Sequence, residues 1–108
     1  MHYVSTRASL SAATSATPIT FSQIILEGLC PDGGLPLPES YPQISIEQLE
    51  AWRPLSYAEL ATEIMALFAP EIPRTDLADI MQRTYTAETF GSPDITPLRD
   101  LSTVSPAL

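Results

Sequence analysis

A chain of 108 residues has room for one domain with one modest core, and not for two layers around a deep cofactor cleft. Its formal net charge is −8, and the five basic side chains, at positions 7, 53, 74, 83 and 99, are all arginine and are scattered. No basic stripe exists to neutralise nucleic-acid phosphates or to hold an anionic membrane, so both partner classes are excluded.

The elements follow from local signals. Tyr3–Thr6 is a candidate short strand, and the Ser-, Thr- and Ala-rich stretch from Arg7 to Pro18 reads as a polar surface loop in preference to a transit peptide. Thr20 with Gln23 forms a capping box, in which a hydroxyl and a side-chain carbonyl satisfy orphan backbone donors. Ile19 and Ile24 supply the apolar staple, and the helix is expected to stop at Pro31. Pro31-Asp32-Gly33-Gly34 has turn chemistry throughout. A strand over Leu35–Leu37 follows, confined to an edge by Pro36.

The cap pattern then recurs. Ser45 with Gln48 (staple Ile44 and Leu49) opens a helix closed by Pro54. Ser56 with Glu59 (staple Leu55 and Leu60) opens one over Tyr57–Ala69, closed by Pro70. That helix places Tyr57, Leu60, Ala61, Ile64, Met65 and Phe68 on one face. Thr75 is expected to cap a fourth helix over Asp76–Ala87, with Leu77, Ile80, Met81 and Tyr85 inward. Glu59, Glu63, Asp79 and Gln82 fall on the wet faces. Pro97–Leu101 is a weaker third strand. The expected fold is α+β and mostly helical: about four short amphipathic helices with a small edge sheet of two or three short strands. Residues 1–101 form the domain, and residues 102–108 read as a linker cut short.

Few side chains carry chemistry. Cys30 is the single cysteine, which rules out an intramolecular disulfide and fits a reducing compartment, with the cytoplasm as the expected location. It reads as a small buried hydrophobe. With His2 as the other soft ligand, no zinc set can be assembled. No apolar run is long enough to span a bilayer. Glu59 and Glu63 share a solvated helix face, whereas acid–base work needs a carboxylate kept neutral by burial. No Gly-x-Ser-x-Gly elbow is present. Asp32, Gly33 and Gly34 read as a structural turn; they lack the lysine and wider glycine spacing of a phosphate loop. Ser5, Thr6 and Arg7, two hydroxyls beside a guanidinium at a strand end, form the best local anion contact, the alternative being a solvated strand end.

Taken in order, Tyr3-Val4-Ser5-Thr6-Arg7, Phe21 to Pro38, Tyr41-Pro42, the run Trp52-Arg53-Pro54-Leu55-Ser56-Tyr57-Ala58-Glu59-Leu60-Ala61, Ile72-Pro73 and Thr96-Pro97-Leu98 resemble the N-terminal domain of the threonine synthase family. Ala8 stands where that family usually has Gly, Ser9–Thr17 is longer and more polar, and Pro36 replaces a bulkier residue. The resemblance implies a fold-type-II enzyme that converts O-phosphohomoserine to threonine and phosphate, with pyridoxal phosphate as electron sink on a lysine amine. This chain has no lysine, and the family's Phe-Lys-Asp-like segment is absent from it. What is implied is therefore an accessory domain that packs on the catalytic domain of the same protein. It would bind no cofactor itself, would have no catalytic residues of its own, and would be inactive in isolation. The alternative is a free-standing acidic helical interaction module presenting Trp52 and Arg53.

Overall fold

The computed structural model describes residues 1–7 and 19–102. The expected loop after Arg7, with Ala8 and Ser9–Thr17, and nearly all of the expected linker lie outside them. Among the described residues, two strands, β1 (Tyr3–Ser5) and β2 (Pro36–Pro38), accompany five helices: α1 (Phe21–Glu27), α2 (Ile46–Trp52), α3 (Tyr57–Phe68), α4 (Arg74–Thr84) and α5 (Ala87–Phe90). The α+β, mostly helical architecture is the one expected.

The caps act as their chemistry requires. The Thr20 and Ser56 boxes are closed from both sides, whereas Ser45 accepts from the Gln48 N–H without the reciprocal bond. Two helix ends differ from expectation. α1 stops at Glu27, short of Pro31, because Gly28 takes φ 78° and returns its N–H to the Ile24 carbonyl. α4 begins at Arg74 because the Pro73 carbonyl already accepts the Asp76 and Leu77 N–H groups. Thr75 thus lies inside the first turn and caps nothing. The single turn of α5, opened by Thr86 and closed by Gly91 at φ 75°, was not anticipated and ends α4 earlier than expected.

α3 and α4 build the core. Ala58, Leu77 and Met81 are buried at its centre, with Ala61, Met65, Ala66, Ile72 and Tyr85 packed around them. Thr62, also buried, donates its hydroxyl to the Ala58 carbonyl at 2.9 Å. Tyr85 meets Tyr57 in a tilted contact and stacks on Phe90, with ring centroids 5.1 and 5.4 Å apart.

β1 and β2 pair antiparallel, with Tyr3 opposite Pro38, Val4 opposite Leu37 and Ser5 opposite Pro36. Tyr3 joins this ribbon to the helices. It is buried, its ring meets Phe21, and its hydroxyl donates to the Phe68 carbonyl at 2.6 Å, satisfying one of the orphan acceptors at the end of α3. Burial, helped by the negative charge of Glu71, raises the pKa of that phenol.

The third strand expected at Pro97–Leu101 does not form. A further strand needs free edge groups, and both edges of this ribbon are restricted. Tyr3 turns its N–H to Ile19 on one side. On the other, Pro36 and Pro38 lack N–H groups. Leu98 is accordingly fully exposed, just beyond a turn in which the buried Ile95 adopts φ 61°.

Candidate functional site

The site is assembled from two segments that the sequence presents separately. At the end of β1, the Ser5 hydroxyl donates to Asp32 Oδ1 at 2.6 Å, and the Gly34 N–H donates to the same oxygen at 2.9 Å. Ser5 Oγ in turn accepts the Arg7 N–H at 3.2 Å. Thr6 Oγ1 accepts the Leu35 N–H, and the Thr6 N–H reaches the Leu35 carbonyl, both at 2.9 Å. The turn closes on itself through Gly33 N–H to the Cys30 carbonyl and Cys30 N–H to the Gly34 carbonyl. The Asp32 carboxylate is thus a clasp between strand end and turn.

Both glycines are there for space. A Cβ on Gly34 would lie 2.0 Å from Ser5 Oγ. On Gly33, at φ 81°, it would lie 2.6 Å from Arg7 Nη1. The Arg7 guanidinium therefore lies against the Gly33 backbone, with Nη1 3.4 Å from the Asp32 carbonyl, and is otherwise exposed. The hydroxyls of Ser5 and Thr6 are engaged by the turn, so the Arg7 side chain is the member of the trio that faces outward.

Hydrogen bonds from the Ser5 hydroxyl, first, and the Gly34 N–H hold the Asp32 pKa below the usual aspartate value. An acid whose folded pKa is depressed stabilises the fold fully above its unfolded value, near 3.9. That contribution is lost as pH falls through the lower folded value. The difference in urea midpoint between the wild type and Asp32→Asn is therefore expected to be widest above about pH 4 and to shrink on acidification. A gap that does not change with pH would contradict the clasp.

Other candidates resolve into structure. Cys30 is buried, as are Trp52 and Met81. Burial removes Trp52 from the surface of a free-standing interaction module and leaves Arg53 exposed and paired with Glu50 at 2.7 Å. Glu59 caps α3, and Glu63 pairs with Arg74. An apolar groove of about 240 Å³ lies between Tyr57, Leu60, Ala61, Ile64, Met65 and Tyr85. Among the described residues, no group of three or more His, Cys, Asp or Glu could hold a metal ion, and no helix is long and apolar enough to cross a membrane. Sequence reasoning found both halves of the clasp but not their union, and it missed Tyr3 as the anchor.

The family model described as "Threonine synthase N terminus" matches residues 2–85. The threonine synthase of Corynebacterium glutamicum is 46% identical over 105 residues, covering 94% of this chain and 21% of that protein. That of Methylobacillus glycogenes is 41% identical over 104 residues, covering 90% of this chain and 21% of that protein. Among solved structures, the pyridoxal-phosphate-bound threonine synthase of Brucella melitensis superposes with a TM-score of 0.75 at 39% identity, covering 93% of this chain and 20% of that one. The chain spans about a fifth of the length of these relatives. With most of its residues matched, it belongs to the threonine synthase N-terminus family.

Proposed function

We propose that this chain serves as the N-terminal, non-catalytic domain of a threonine synthase that converts O-phosphohomoserine to threonine and phosphate in the cytoplasm. The observation that carries the reading is the pairing of near-complete likeness to the family's N-terminal part with the absence of any lysine. Pyridoxal phosphate supplies the electron sink in such an enzyme, and it is held on a lysine amine. The residues of this chain do not fit that task, so no chemical step is assigned to them. The role left to the domain is to pack on the catalytic domain of the same protein and wall its cleft. A small core beside many exposed large apolar side chains, Ile25, Leu26, Leu29, Leu35 and Leu37 among them, supports that role.

Titration of the 108-residue chain with pyridoxal phosphate is expected to give no saturable absorbance band beyond that of a free amine. A specific, saturable band would overturn the reading.

Within the assembled enzyme, the substrate-anion contact proposed for Ser5, Thr6 and Arg7 falls to the Arg7 guanidinium, with the two hydroxyls fixing the strand end that carries it. Arg7→Gln in the complete enzyme is expected to raise KM for O-phosphohomoserine about tenfold with kcat nearly unchanged, as for loss of a charge-assisted hydrogen bond made equally in ground and transition states. An unaltered KM would remove Arg7 from the cleft.

A further inference from the structure

The two-stranded sheet has one covered face and one bare face. Side chains alternate across a strand, so Tyr3 and Ser5 share a face with their partners Pro38 and Pro36. Tyr3 anchors that side to α3. On the other side Val4 stands opposite Leu37, with Leu35 two residues along from Leu37; these three are 38%, 44% and 58% exposed, in the order Val4, Leu37, Leu35. An apolar row on a three-residue ribbon is unusual, because a lone two-stranded sheet is marginal in water unless its apolar face is packed.

The edges say how a partner can approach. In the ladder, Leu35 and Glu39 direct their N–H groups inward, to Thr6 Oγ1 and to the His2 carbonyl. Alternation then assigns the outward positions of β2 to Pro36 and Pro38, which have no N–H to offer. The outward N–H of Tyr3 on β1 is engaged by the Ile19 carbonyl. Strand addition is hindered on β2 and pre-empted at Tyr3 on β1, which favours side-chain packing against the face as the mode of contact.

We infer that the Val4–Leu35–Leu37 face is where this domain docks, and that its occupant is an apolar surface of the threonine synthase catalytic body. The inference rests on the function proposed above and names the surface that function uses. That occupant is favoured because the matched relatives continue for about four-fifths of their length beyond the part this chain covers, in a single polypeptide. A tethered neighbour is present at high effective concentration and needs little further affinity. Packing of this kind is also consistent with a covered edge, since it makes no demand on the backbone donors of β2.

The test uses the protein expressed from the complete reading frame, with Cys30 left in place because it is buried. Leu35→Cys, Leu37→Cys and, as a solvent-facing control on α4, Gln82→Cys are labelled with a maleimide under native conditions. Docking predicts that the first two react roughly tenfold or more slowly than the control, labelling only through local opening. All three reacting at the control rate would overturn the proposal, whether or not threonine is formed. Threonine formation by the same preparations is assayed separately, so that loss of the functional reading and loss of the docking face are distinguishable. Leu37→Asp gives a second arm: limited proteolysis is expected to release the domain from the complete protein faster than from wild type, and unchanged release would count against the proposal.

Discussion

Gly34→Ala is expected to destabilise the domain by about 3 kcal/mol, at the upper end of what overpacking costs. The added Cβ would sit 2.0 Å from Ser5 Oγ and 3.0 Å from both the Arg7 backbone nitrogen and Asp32 Oδ1. None of these can step aside cheaply. Ser5 Oγ is one bond beyond the Cβ of a paired strand residue, and moving it breaks the 2.6 Å bond to Asp32. Gly33→Ala is expected to be milder. Its clash is with the far end of the Arg7 side chain, although φ 81° adds roughly 1–2 kcal/mol of backbone strain. The discriminating measurement is a cycle of urea midpoints over wild type, Ser5→Ala, Gly34→Ala and the double variant. Removing Oγ should relieve part of the clash, so the double variant should be more stable than the two single losses predict when added. Strict additivity would mean that Gly34 and Ser5 are not in contact.

Leu77→Ala is the second large effect. Leu77 is 2% exposed and, among the described residues, is the largest fully buried side chain, at the point where α4 meets α3. Truncation removes its burial and leaves a cavity, a loss of about 3 kcal/mol for Leu→Ala. Against a total stability of roughly 5–15 kcal/mol this is a large share. The corresponding fall in Tm is about 12 °C or more for a domain of this size. Ile80→Ala, on the same helix but 41% exposed, should shift Tm far less. A fall of under about 4 °C for Leu77→Ala would mean that the α3–α4 hairpin is not the core.

What the sequence made legible was local. Thr20, Ser45 and Ser56 each announce a helix because a cap hydroxyl acts on a donor three residues away, and no distant residue can remove that chemistry. The 3.6-residue spacing gave the inward face only in part. On α4, Leu77 and Met81 are buried but Ile80 is 41% exposed. On α3 the buried positions are Ala58 and Thr62, while Tyr57 and Ile64, expected inward, are 39% and 37% exposed. Thr75 failed because Pro73 had already supplied the first carbonyl of the helix. α5 failed because four residues carry no period.

The third strand failed for a reason outside its own sequence, since the sheet edges were restricted by the Tyr3–Ile19 bond and by two prolines. The clasp was missed in the same way. Asp32 looks like an ordinary turn residue until the Ser5 hydroxyl, 27 positions away, is brought to it. Tyr3 gave the signal of a strand aromatic, but its hydroxyl finds the Phe68 carbonyl only after the helices have packed. Resemblance to a family gathered these separated motifs into one reading, and the hydrogen bonds now give the physical reason they occur together.

The most direct test of the account is an assay of phosphate released from O-phosphohomoserine with pyridoxal phosphate present. It compares the 108-residue chain with the protein expressed from the complete reading frame. The account predicts release by the complete protein and none above background by the chain alone; turnover by the chain alone would contradict it.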